Sequence, residues 1–263
     1  MNFTKMHGLG NDYIFLYCPQ GEPEGAEELA RQLSHRHTGV GGDGLICICP
    51  SENADFRMTM FNADGSRGTM CGNGIRCLGK YVYDRKLTTK TRLTVETGGG
   101  VRTVDLQVEG GKVAEVTVDM GVPQVGKPMA LQVEDIQVEG TPVWMGNPHL
   151  VCLVEEVAAV DVTRLGPQLE VHPKLSQRVN VEFVAPRDRG HIAMRVWERG
   201  SGETMACGTG ASAALAALAS SGVTERSAVV ALPGGEMSIS WGEDGHVHMT
   251  GPAVTVFDGK LAH

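Results

Sequence analysis

The sequence predicts an α/β fold assembled from two homologous halves. Three observations carry that expectation. The chain has 263 residues, 41% hydrophobic and 21% charged, an ordinary globular composition long enough for one large or two modest domains. The order of elements runs twice: strands, a helix that opens on Cys-Gly-x-Gly, then hairpins. One offset also recurs without gaps (146 − 10 = 136). It pairs Gly10-Asn11 with Gly146-Asn147, Phe61 with Trp197, Cys71-Gly72-x-Gly74 with Cys207-Gly208-x-Gly210, and Gly98-Gly99 with Gly234-Gly235. A period that long excludes a solenoid, whose units are about 20–50 residues.

In the first half, Asp12–Cys18 reads as a strand. Pro23–Arg36 carries Ala26, Leu29, Ala30 and Leu33 at helical spacing. Leu45–Cys49 and Phe56–Phe61 read as strands, Asn62–Met70 as a polar loop, and Ile75–Tyr83 as a helix with Ile75, Leu78, Gly79 and Val82 on one face. Leu93–Met120 alternates in hairpin fashion, broken by Gly98-Gly99-Gly100 and Gly110-Gly111. Gly121–Pro128 is the expected linker. The second series has strands at Leu150–Val154, Val179–Val184 and Ile192–Trp197, a short helix at Arg164–Glu170, a buried Ala-rich helix at Gly210–Ser221, and hairpins from Ala228 onward. The expected division is 1–118, rejoined by a final strand at 254–263, and 119–253, with the functional site in the cleft between the halves.

Charge and cysteine usage exclude several function classes. Lys plus Arg is 23 against 31 for Asp plus Glu, a net charge of −8 with no basic run, so nucleic acid is an improbable partner. No apolar stretch approaches the ~20 residues of a membrane span, and Met1–Lys5 lacks the apolar core of a signal peptide, which points to the cytoplasm. Seven cysteines and no Cys-x-x-Cys predict free thiols rather than a disulfide framework or a structural zinc site. Five of them, Cys18, Cys47, Cys49, Cys77 and Cys152, read as small apolar fillers.

Cys71 and Cys207 read differently. Each stands where a polar loop gives way to a helix, so unpaired N–H groups and the helix dipole favour its thiolate. The glycine that follows admits a ligand close to the backbone, and the same N–H groups can hold a carboxylate or a developing oxyanion. Two thiols brought by the duplication to opposite faces of one substrate suit inversion at a carbon acid. One thiolate removes a proton and the opposed thiol returns one. No cofactor motif accompanies them. Gly39-Val40-Gly41-Gly42-Asp43-Gly44 matches G-x-G-x-x-G, but a helix precedes it and a strand follows, the reverse of the nucleotide-binding order. His35 and His37 are too few for a metal cluster. His149 and Glu198 lie in polar stretches that the duplication places near the cleft, where either can accept or donate a proton for a cysteine.

With these motifs assembled, the sequence resembles the diaminopimelate epimerases nearly end to end. The resemblance is carried by Met6-His7-Gly8-Leu9-Gly10-Asn11-Asp12, Phe61-Asn62-Ala63-Asp64-Gly65-Ser66, Cys71-Gly72-Asn73-Gly74-Ile75-Arg76-Cys77, Gly146-Asn147-Pro148-His149, Val179-Asn180-Val181-Glu182, and the run from Glu198-Arg199 to Cys207-Gly208-Thr209-Gly210. It implies a diaminopimelate epimerase-like α/β (α+β) fold of two pseudo-symmetric halves from an internal duplication, each a curved mixed sheet around a central helix. It also implies a cofactor-independent, metal-free homodimer that interconverts LL- and meso-diaminopimelate for lysine and cell-wall synthesis. By the same resemblance, Cys71 and Cys207 are the acid/base pair. Gly72-Asn73 and Gly208-Thr209 hold the carboxylate at the reacting carbon, and Asn11, Asn62, Asn147, Asn180, Glu198 and Arg199 bind substrate. His149 and Glu198 stand beside the thiols. Arg199 can pair with the distal carboxylate and the amides with its ammonium, so a simple amino acid leaves them unpaired.

One departure bears on substrate fit. Gly42-Asp43-Gly44 stands where the family has Phe-Asp-Gln, so a gap or a water is expected at Gly44. Arg67-Gly68-Thr69-Met70 also departs from the family's usual residues before the first cysteine. The rival readings are a racemase of another amino acid on the same fold, a thiol redox protein, and a non-catalytic binding protein that kept the cleft.

Overall fold

A computed structural model describes residues 1–261; residues 262–263, where the expected final strand ends, lie outside the described residues. The chain divides into two compact units, Met1–Val118 with the segment from Gly251 onward, and Asp119–Thr250. The return to the first unit begins at Gly251, earlier than 254, because the last strand of the second unit leaves its partner after Thr250.

The first unit contains β1 (Asn2–Gly8), β2 (Asn11–Tyr17), α1 (Ala26–Ser34), β3 (Gly44–Cys49), β4 (Phe56–Asn62), β5 (Arg67–Gly68), α2 (Gly72–Asp84), β6 (Arg92–Thr97) and β7 (Gly100–Glu109), with β8 (Lys112–Gly121) at its end. The second contains β9 (Gln124–Val125), β10 (Met129–Val133), β11 (Ile136–Trp144), β12 (Pro148–Leu153), a 3-10 turn at Val157–Ala159, α3 (Val162–Glu170), β13 (Asn180–Asp188), β14 (His191–Glu198), β15 (Gly202–Thr204), α4 (Gly208–Ser220), β16 (Ser227–Leu232), β17 (Gly235–Trp241) and β18 (Val247–Pro252). The last strand, β19 (Val254–Lys260), pairs with β1.

Both units use one topology. In the first, the sheet runs β19-β1-β2-β3-β4-β6-β7-β8, with β2–β3 and β4–β6 parallel and the other pairs antiparallel. In the second it runs β10-β11-β12-β13-β14-β16-β17-β18, with β12–β13 and β14–β16 parallel. The fold is therefore mixed α/β with a duplicated curved sheet. β19 fills in the first unit the place that β10 fills in the second.

Each sheet is covered on both faces, so its middle strands are apolar on both sides. All six residues of β3 are buried. Leu45, Cys47 and Cys49 pack with Ala26, Ala30 and Leu33 of α1, while Ile46 faces α2. In the second unit Val181 and Phe183 of β13 pack with Val162, Leu165 and Leu169 of α3, while Glu182 faces α4. α4 is buried continuously from Gly210 to Leu218, and its alanines let the sheet close tightly around it.

Three expectations are corrected. The segment 121–128 is not a free linker: Gln124 and Val125 form β9 against Trp144 and Val143. The β10–β11 hairpin fills 129–144, where the sequence pattern predicts no element. Both site helices start before their apolar faces do, at Gly72 and Gly208, since packing overrides the poor helix propensity of glycine.

Candidate active site

Cys71 is the N-cap residue of α2 in extended conformation, and its sulfur accepts the Gly74 N–H at 3.3 Å. The thiol in turn donates to Asn11 Oδ1 at 3.3 Å, an oxygen that also accepts from Asn73 Nδ2 at 3.1 Å. Asn11 is oriented from behind, because its Nδ2 donates to Asp43 Oδ2 at 2.8 Å. Asp43 is held by the Asp12 N–H and by Arg36, which also pairs with Asp12 at 2.8 Å. Buried Lys5 completes this group with an ion pair to Asp12 at 2.6 Å.

Two further groups face Cys71. Burial, and then the proximity of Cys71, push the Tyr13 phenol well above its ordinary value, so it stays a neutral O–H donor. Arg76 is fully buried one turn into α2, donating to Asn73 Oδ1 at 2.9 Å and to the Pro252 carbonyl at 3.2 Å. Burial draws its guanidinium down, while interaction with Cys77 and Cys71 opposes that shift.

Cys207 is the N-cap residue of α4, again in extended conformation. Its sulfur lies 3.4 Å from Thr209 Oγ1 and meets the Glu198 carboxylate. Thr209 Oγ1 accepts from Asn147 Nδ2 at 3.4 Å, and Asn147 Oδ1 is 2.9 Å from His149 Nε2. His149 Nδ1 is 2.7 Å from Glu182 Oε1, with both side chains excluded from solvent. Glu198 accepts from the Thr204 hydroxyl at 2.5 Å, and burial raises its carboxyl above the ordinary value. Burial, then Glu198 and Glu182, push the Cys207 thiol well above its ordinary value, the reverse of the thiolate expected at a helix start, because desolvation and the two carboxylates outweigh the helix N–H groups.

The sequence-derived residues fall into three groups. Asn11, Cys71, Gly72 and Asn73 converge at the start of α2. Asn147, His149, Glu198, Cys207, Gly208 and Thr209 converge at the start of α4. Asn180 and Arg199 form a third pair, the buried Asn180 Oδ1 accepting the Arg199 backbone N–H at 2.8 Å, with the Arg199 side chain exposed. Asn62 ends β4 in register with Gly44, its amide donating to Ser66 at 2.9 Å. The gap expected at Gly44 is absent: a Cβ there would run into the Phe61 carbonyl and lie 2.9 Å from the Tyr13 ring. Tyr13, Arg76 and Glu182 escaped sequence reading as site residues. The 136-residue offset held the signal for two of them, since it sets Tyr13 opposite His149 and Ile46 opposite Glu182.

The five filler cysteines are free thiols. Burial pushes Cys77 up to about 12 and raises Cys152 further. Hydrogen bonding with Cys47 is the main influence that pushes Cys18 up to about 12. Among the described residues no helix is long and apolar enough to cross a membrane.

Comparison with known proteins bears on this arrangement. The family model described as diaminopimelate epimerase matches residues 3–126 and 141–256. A diaminopimelate epimerase of Acetivibrio thermocellus is 50% identical over 276 aligned residues, covering 99% of this chain and 98% of that protein. One of Methanococcus maripaludis is 46% identical, covering 99% of each. Among solved structures, a phenazine biosynthesis protein of the PhzF family from Bacillus anthracis superposes with a TM-score of 0.79 at 16% identity, covering 100% of this chain and 99% of that one. A hydroxyproline epimerase from Agrobacterium vitis, with bound trans-4-hydroxy-L-proline, superposes with a TM-score of 0.76 at 16% identity, covering 99% and 90%. At such identity the structural matches speak for the fold alone.

Proposed function

Because the chain belongs to the diaminopimelate epimerase family, we propose that Cys71 and Cys207 carry out its proton transfers. One sulfur, as thiolate, removes the Cα proton of LL-diaminopimelate, and the other, as thiol, returns a proton from the opposite face to give the meso isomer. Each turnover leaves the two sulfurs with their protonation exchanged. The chain is an isomerase and its activity is diaminopimelate epimerisation; the assignment of roles is our reading.

The observation that carries it is the repeated placement of a thiol at the N-cap of a 13-residue helix opening Gly-x-Gly. Backbone N–H groups at Gly72-Asn73 and Gly208-Thr209 are suited to hold the α-carboxylate and the charge that develops when the Cα proton leaves. That electrostatic support takes the place of an electron-sink cofactor. Asn11, Asn62, Asn147, Asn180 and Arg199 bind the remainder of the substrate, Arg199 pairing with the distal carboxylate and Asn180 fixing the Arg199 backbone. His149 and Glu198 exchange protons with, or tune, Cys207. Gly44 had pointed to a racemase of another amino acid, but Tyr13 and Phe61 close that position, so it no longer favours another substrate.

The reaction serves lysine and peptidoglycan precursor synthesis in this reading, in a reducing cytoplasm that keeps both thiols free. The chain works as a homodimer without nucleic-acid partners. The test is Cα–deuterium exchange from heavy water with LL-diaminopimelate. Cys71→Ala and Cys207→Ala are each expected to lose epimerisation, and full epimerisation by either overturns the two-thiol assignment.

A further inference from the structure

β13 carries a carboxylate where the first unit carries a hydrocarbon. Glu182 and Ile46 are equivalent under the offset, and each faces the site helix of its own unit. A Cβ on Gly74 would lie 2.5 Å from Ile46 Cδ1, and one on Gly210 would lie 2.7 Å from Glu182 Oε1. Ile46 packs there at little cost. Glu182 is completely buried, and a carboxylate so placed is unfavourable unless it is paired. Its Oε1 is satisfied by His149, but Oε2 is buried with no hydrogen-bond partner among the described residues. Such a group calls for an explanation other than packing.

We propose that Glu182 is the positioning residue of the second unit, clamping His149 and, through Asn147 and Thr209, favouring Cys207 as the proton-bearing sulfur of the substrate-free protein. The chain of contacts is continuous: 2.7 Å from Glu182 to His149, 2.9 Å to Asn147, 3.4 Å to Thr209 and 3.4 Å to Cys207. A buried carboxylate accepting from Nδ1 sets the ring's orientation and turns Nε2 toward Asn147. The carboxylate also acts through space. The groups that face Cys207 are Glu182 from β13, Glu198 from β14, His149 from β12 and Thr209 from α4. The two carboxylates favour S–H over S⁻. Cys71 instead faces Tyr13, Asn11 and the cation of Arg76. Glu182 is thus a carboxylate in the second site at the place where the first site has the hydrocarbon of Ile46.

This inference rests on Cys207 being one of the two proton-transfer groups. The test uses the full-length protein and alkylation by iodoacetamide across a pH series, with Cys207 and Cys71 peptides read separately by mass spectrometry. In the wild type, Cys207 is expected to react only above the ordinary thiol range of about 8.5. Reaction with a midpoint at or below that value overturns the proposal without any variant. In Glu182→Gln the negative charge is gone, so Cys207 alkylation at neutral pH rises about tenfold and its profile moves to lower pH, roughly one unit. The Cys71 profile stays put. Epimerisation kcat falls roughly 100-fold through loss of alignment while KM changes little.

Glu182→Ile installs the side chain the first unit uses. It removes charge and hydrogen bond together and is expected to shift the Cys207 profile the same way with a larger loss of kcat. Wild-type alkylation profiles in either variant overturn the proposal. Full activity of Cys207→Ala would instead refute the two-thiol reading, while the alkylation profile would still report whether Glu182 governs the sulfur.

Discussion

Adding one methyl group at Gly74 tests how closely the first thiol depends on the start of its helix. The new Cβ would lie 2.5 Å from Ile46 Cδ1, 3.4 Å from Cys71 Cβ and 3.6 Å from Cys71 Sγ. Carbon atoms rest about 3.5–4.0 Å apart, so about 1 Å must be found. Ile46 sits in a strand whose six residues are all buried, so the first turn of α2 yields instead. Overpacking of this kind costs about 1–3 kcal/mol, and the better helix propensity of alanine offsets up to about 1 kcal/mol. Global stability therefore falls by about 0–3 kcal/mol. The chemistry suffers more, because the Gly74 N–H to Cys71 bond moves with the turn, and a misplacement of about 1 Å costs roughly 100-fold in rate. Ile46→Val deletes the offending Cδ1 and alone costs about 0.5–1.5 kcal/mol. The double variant is expected to recover most of the rate and to be more stable than the sum of the single effects. Urea unfolding of the four proteins and Cα–deuterium exchange measure both terms. A fully active Gly74→Ala, or a double variant whose effects simply add, refutes the reasoning.

Three further outcomes follow from contacts described above or adjoining them. Glu170→Ala removes the acceptor of the Trp197 indole N–H, at 2.8 Å, and of Arg178 Nε, at 2.8 Å, from a carboxylate only 4% exposed. It should lower the urea midpoint by an amount equivalent to about 1–3 kcal/mol with the slope unchanged. For Asp12, burial acts to raise the carboxyl, but the bonds from Arg36 and Lys5 outweigh it and hold the value below the usual one. Its contribution to stability is thus present above about pH 3.9 and lost as pH falls through the lowered folded value. Arg36→Met should therefore be less stable than wild type in urea at pH 7 and converge with it near pH 2; an equal deficit at both pH values counts against the linkage. Burial pushes Cys77 up to about 12, and hydrogen bonding with Cys47 is the main cause for Cys18, also up to about 12. At pH 8 both should resist iodoacetamide in the folded protein and react only after denaturation, as peptide mass spectrometry will show.

What the sequence revealed and what it hid follow from the range of the interactions. The Cys-Gly-x-Gly helix starts and the repeated order of elements are local patterns, and the offset made the duplication visible. β1 was invisible because its alternation is spoiled by Lys5, a buried cation whose partner Asp12 is known only from the fold. β9 was invisible because two residues in a Pro- and Gly-rich stretch carry no period of their own; they pair with Val143 and Trp144 across an intervening hairpin. Gly44 read as missing volume, yet Tyr13 from the neighbouring strand occupies it. Glu182 was passed over because a carboxylate within an apolar strand announces no partner until His149 is brought alongside by the parallel β12–β13 pairing.

The pairing of β1 with β19 also governs the order in which the chain can fold as it is made. The second unit is one continuous stretch, complete once Thr250 has emerged. The first unit, although begun earlier, lacks its outer strand until after that point. Until Val254–Lys260 arrives, β1 offers an open row of backbone donors and acceptors, with Phe3 without its edge-to-face partner Phe257. The later-synthesised unit is thus the first able to finish, and the earlier one waits, exposed to wrong pairing, for seven residues made after the whole of its twin.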